Sequence, residues 1–174
     1  MTEPKRSRTF TLHVEYSLFL VHDEEDYDSQ PPEGIGMAYL PVARGVVYVA
    51  STVQEHETKA QVHMWAGVPP KRAEGELLGQ VTLFSKSGRI SVHSMMGGPE
   101  GQSLELEGPG LYGVRVYRFG GGPAARVRRD EAVRRIGDGE DIEMPTDLES
   151  YVIDMWRRPT DTSAARPARQ ERRP

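Results

Sequence analysis

The sequence predicts an all-β protein: an antiparallel sandwich of about eight strands with one short inserted helix. Three observations predict it. Apolar residues recur with period two along most of the chain. Clusters of Gly, Pro and Ser punctuate these runs at short intervals. Helical periodicity is found in one stretch only, whereas a parallel α/β sheet needs a long helical crossover between successive strands. A barrel is the alternative closure.

Taken in order, residues 1–8 form a charged, flexible N-terminal arm. Thr9–Tyr16 then alternates strictly, with Phe10, Leu12, Val14 and Tyr16 on one side. The strand continues into Leu18–Val21, where both sides are apolar and the chain enters the interior. Further strands are expected at Val46–Ser51, Ala60–Ala66, Leu77–Phe84, Arg89–Met96, Ser103–Leu106, Leu111–Phe119 and Ser150–Trp156. Ser85-Lys86-Ser87-Gly88 and Glu107-Gly108-Pro109-Gly110 read as hairpin turns, with glycines free to take positive φ and Pro109 presetting its own. After Gly120-Gly121-Gly122-Pro123, Ala125–Ile136 sets Arg129, Ala132, Val133 and Ile136 on one helical face, giving an insertion of about 123–137. The sandwich domain spans 9–158. Residues 159–174, rich in Arg and Pro and lacking any large apolar side chain, read as a disordered tail.

Composition excludes several classes. The 174 residues contain no Cys, so disulfide scaffolds, thiolate metal sites and thiol nucleophiles are out, and a cytoplasmic location is expected. No signal peptide or membrane span is visible. Residues 9–119 carry 8 basic and 14 acidic side chains. That acidic body argues against a protein that tracks nucleic-acid phosphates and suits a basic partner, with weak nucleic-acid contact left to the Arg-rich tail.

The order of segments resembles a known family. Val14-Glu15-Tyr16-Ser17-Leu18-Phe19-Leu20-Val21-His22-Asp23, Gly45–Val49, Lys59–Met64, Ser87–Ser94, Leu106–Tyr112 and Tyr151–Trp156 together are similar to the competence protein J (DNA-entry nuclease inhibitor) family, over most of residues 10–157. The resemblance implies a small, bacterial, non-enzymatic β protein, associated with competence, that binds a nuclease and blocks it, much as immunity proteins block toxins. Gly120–Asp147, with its arginine helix, is longer than the family's pattern at that place.

The search for catalytic chemistry is mostly negative. There is no G-x-S-x-G, no S-x-x-K, no helical His pair and no EF-hand spacing at Asp138–Glu143, so no cofactor and no metal are expected. His13, His63 and His93 could converge from different strands, which would point to an unassigned enzyme or a metal.

Two surface features carry more. Asp23, Glu24, Glu25, Asp26 and Asp28 cluster without a basic residue around Tyr27, a pattern able to imitate phosphate spacing in a nuclease cleft, or else a solvated loop extended by self-repulsion. Trp65, Tyr117 and Trp156, with Arg115, fall on strand sides opposite the inferred core. They form an exposed hot-spot patch, or a face covered by the helix, or the inner side if inside and outside are exchanged, since period two alone does not choose between two partly apolar faces. The expected function is stoichiometric blockade of a basic protein partner through these ten residues. The alternatives are a small-molecule or carbohydrate-binding sandwich stacking ligand on a tryptophan, and the unassigned enzyme.

Overall fold

Strands with one apolar side must bury it against a second layer, and here two five-stranded sheets do so face to face. A computed structural model describes residues 3–30, 32, 40–98 and 102–159. In chain order the elements are β1 (Arg6–Val14), β2 (Leu18–Asp23), β3 (Val42–Ala43), β4 (Val46–Ala50), β5 (His56–Trp65), β6 (Glu76–Ser85), β7 (Arg89–Ser94), β8 (Leu104–Glu105), β9 (Gly110–Gly120), α1 (Gly122–Gly137) and β10 (Glu149–Arg157). The first sheet runs β1-β5-β10-β9-β6 and the second β3-β4-β2-β7-β8. All pairs are antiparallel except β5 with β10, which lie parallel. Between the sheets Phe10, Leu12, Val62, Met64, Val114, Val116, Ile153 and Met155 meet Phe19, Val21, Val47, Val49, Ile90 and Val92. Phe19 stands edge-on to Tyr151 at 4.8 Å between ring centres.

The expected sandwich is therefore observed, with local corrections. The strand expected to run unbroken from Thr9 to Val21 reverses at Tyr16 and Ser17, both at positive φ (54° and 60°). Its two halves join opposite sheets. The arm expected at residues 1–8 gives up Arg6–Arg8 to β1, where they pair with Val62–Met64. Their side chains bridge the sheets, Arg6 donating to the carbonyls of Glu105 and Leu106 and Arg8 to that of Ser103. The turns at Ser85–Gly88 and Glu107–Gly110 are tight as expected but are not hairpins, since each carries the chain from one sheet to the other. β3 went unforeseen because a two-residue strand has no period to detect. Of the expected tail, only Pro159 falls among the described residues.

The helix lies where its periodicity placed it, but only Ala125 and Ala132 are buried. Ala125 packs with Val53 and Leu148. Val133 and Ile136 stay part-exposed beside a cleft of about 630 Å³ shared with His13, Glu57, Met144 and Pro145. No described helix is long and apolar enough to cross a membrane.

Candidate functional site

The acidic segment begins where β2 ends, and its first carboxylate turns inward. Asp23 is fully buried and accepts five hydrogen bonds: from Ser85 Oγ at 2.6 Å, from Ser87 N and Oγ at 2.9 and 2.8 Å, and from the amides of Glu25 and Asp26 at 2.9 and 3.0 Å. Burial alone would raise its pKa, but these donors outweigh it and hold the carboxyl at about 2. Asp23 is thus a structural pin that staples the segment to the β6–β7 turn, and its burial removes it from the surface expected to meet a partner.

The rest of the segment is held by its backbone. Asp23 N donates to Gly45 O at 2.8 Å, Glu24 N to Arg89 O at 3.1 Å, and Asp28 N to Arg44 O at 2.8 Å, while Tyr48 Oη donates to Asp28 O at 2.9 Å. Gly45, at φ 67°, lets the Asp26 carbonyl approach so closely that a Cβ there would collide with it. Half-buried Tyr27 packs on His22, ring centres 4.1 Å apart, and on the Leu20–Tyr48 cluster. This is a fixed strip and not a loop kept extended by repulsion.

Its charges have local partners. Glu24 and Glu25 face Arg89 at 3.3 and 3.4 Å, Asp26 pairs with Arg44 and lies 3.9 Å from Lys86, and Asp28 caps Gln30 N. The three cations are 47%, 66% and 62% exposed in their side chains, so these pairs are worth little and exchange readily.

The aromatic set does come together, because β5, β10 and β9 are neighbours and register Trp156 with Trp65 and Asp154 with Arg115. It is covered, however, and by the segment 66–75 that follows β5, not by α1. Arg115, Tyr117 and Trp156 are buried, whereas Trp65 is half-buried. Arg115 donates to Pro69 O at 3.0 Å and to Gln80 Oε1, and lies 5.2 Å over the Trp156 ring. Arg72 grips Asp154 at 2.9 and 3.1 Å, and its amide donates to Tyr117 Oη at 3.2 Å. Trp65 Nε1 donates to the same Asp154 at 2.9 Å. The strap's Pro69-Pro70 and Arg72 were the available signal, since a rigid basic loop can neutralise an acid stranded on a sheet face.

At the opposite end of the sandwich a second buried carboxylate, Glu149, accepts from Ser51 Oγ, Thr52 N, Thr52 Oγ and Tyr151 Oη. Burial raises its pKa, but these donors lower it further than burial raises it. His56, enclosed at 3.6 Å from Glu149, is pushed down by burial. Both groups are sealed from solvent, so they tie β5 and β10 to the β4–β5 loop and offer a substrate no access. His13, His63 and His93 do not converge: His63 Nδ1 bonds Ser7 Oγ at 2.7 Å in the first sheet, His13 is exposed on β1, and His93 belongs to the second sheet. Among the described residues no group of three or more His, Cys, Asp or Glu side chains is placed to hold a metal ion.

No family model and no curated protein matches this chain in sequence. Two solved structures share its architecture. One, from Bacillus subtilis, is described as ComJ, inhibitor of the DNA degrading activity of NucA; it superposes at TM-score 0.55 with 14% identity, over 90% of this chain and 98% of that one. The other is described as crocagin biosynthetic gene J, at TM-score 0.53 and 13% identity, over 87% and 97%. At such identities the relationship is one of fold, and a distant one.

Proposed function

We propose that this protein is a non-enzymatic binding module that blocks a basic protein partner, a nuclease by preference, in the cytoplasm. Glu24, Glu25, Asp26 and Asp28 pair with Arg and Lys of the partner, and Tyr27 and Trp65 supply apolar anchors. The observation that carries this reading is the rigid acidic strip. Its carboxylates are ordered before any partner arrives, so little conformational entropy is lost on docking. Their present cations sit in solvent, where exchange for a partner's guanidinium costs little. Support also comes from the fold, shared with a protein described as a nuclease inhibitor. Asp23, Arg115, Tyr117 and Trp156 act behind the surface, Asp23 fixing the strip and the other three fixing the strap beside Trp65.

The test uses the purified full chain against a panel of purified DNA nucleases, with inhibition and surface-plasmon binding followed over a range of salt. Replacing Glu24, Glu25, Asp26 and Asp28 by their amides is expected to weaken association by about a hundredfold and to flatten its salt dependence. A quadruple variant that inhibits like the unaltered chain overturns the assignment of this strip. Measurable turnover of a substrate by the purified protein overturns the non-enzymatic reading itself.

A further inference from the structure

We propose that the cleft between α1 and the first sheet binds a small organic cation, an ammonium group carried on an apolar chain or ring. The cleft encloses about 630 Å³, within the range of small-molecule sites, and it has two kinds of wall. One is apolar. Val133 and Ile136, a helical turn apart on α1, line it together with Met144 and Pro145 from the segment leading into β10. Since α1 buries only Ala125 and Ala132 and leaves Val133 and Ile136 43% and 41% exposed, this apolar surface takes no part in the chain's own core.

The other wall is acidic. Glu57 comes from β5, directly opposite His13 of β1, and Glu55 and Glu143 complete a set of three carboxylates against the single guanidinium of Arg129. Arg129 pairs with Glu55 at 3.8 Å and with Asp130 at 3.2 Å, which leaves Glu57 and Glu143 without a cation among the described residues. His56 lies behind the floor. Burial keeps its imidazole uncharged at neutral pH, so it adds no positive charge there, and neither of its ring nitrogens bonds a described residue. The two walls together select the ligand. An anion would meet three carboxylates, whose field is focused by the apolar wall beside them, and a purely hydrophilic cation would leave that wall wetted. A cation with an apolar body satisfies both. The cleft rests on β1 and β5 of the first sheet, whereas the acidic strip springs from β2 of the second, so the site stands independently of any partner of the strip.

Titration of the full chain with decylammonium and, separately, with decanoate, both kept below micelle formation and followed by methyl NMR, tests the assignment. Decylammonium is expected to saturate one site, shifting the methyls of Val133, Ile136 and Met144, and decanoate to bind at least about tenfold more weakly. Replacing Glu57 and Glu143 by Gln is expected to erase the preference between the two probes, while Ile136→Ser weakens both by about fivefold or more with an unchanged circular dichroism spectrum. Equal affinity of the two probes for the unaltered chain, shifts centred on Leu20 and Tyr27 instead, or full affinity in Ile136→Ser would each overturn it. If Ile136→Ser fails to fold, the methyl shifts of the unaltered chain decide.

Discussion

At Asp23 one carboxylate collects five donors from two segments, so its replacement strips a hub and leaves serine and amide groups buried without an acceptor. Asp23→Asn is expected to cost about 3 kcal/mol, read as a lower urea midpoint with unchanged slope. Arg72→Ala uncovers the same logic on the other sheet: Asp154, buried beneath the strap, keeps only Trp65 as a side-chain partner, and a loss of about 2–3 kcal/mol is expected. Gly113→Ala would drive a methyl into the indole of Trp156, which packs against that glycine, at about 1–3 kcal/mol by thermal melting. Sequence singled out Asp23 and the aromatics but not their orientation, and it passed over Asp154. A run of carboxylates does not disclose which one turns inward. The clue lay elsewhere, in Ser85 and Ser87, turn residues whose hydroxyls need an acceptor.

Individual elements were legible wherever they alternate. β5, β6, β9 and β10 lie on strands expected from period two: in β5 burial on one side only imposes that pattern, and in β9 and β10 the inner-face residues keep it although the strap buries part of the other side as well. The Tyr16–Ser17 reversal was invisible for the opposite reason. Positive φ at two successive positions normally recruits Asn and Gly, and here the flanking sheets enforce it on residues that do not favour it. Tyr16→Asn with Ser17→Gly is accordingly expected to stabilise the protein by about 1 kcal/mol in denaturant unfolding. The helix stands at the other extreme. It is held by two alanines, and Val127 is 68% exposed, so its amides are expected to exchange with deuterium at far lower protection than those of β9 and β10.

For the molecule as a whole, acid should be the effective denaturant. His56 and His63 are both depressed below 6.5 by burial, so the unfolded chain takes up protons there that the native state refuses. Stability is therefore complete above that value and falls as pH drops beneath it, by up to about 1.4 kcal/mol per pH unit for each proton. A second loss follows below 4.5, when unfolded carboxyls protonate while Glu149, held down by its donors, does not. His56→Gln is expected to shallow the first decline and leave the second, in urea midpoints measured against pH. The assembly of the two sheets was the part least readable from sequence, since pairing partners are set by closure of the core and leave no local trace.

β10 is the last strand among the described residues, yet it sits at the centre of the first sheet between β5 and β9. During synthesis, the earlier strands would wait with two long edges bare until Arg157 has left the ribosome. A message truncated anywhere before Glu149 would thus yield not a smaller domain but an aggregation-prone fragment, a natural target for chaperones and proteases.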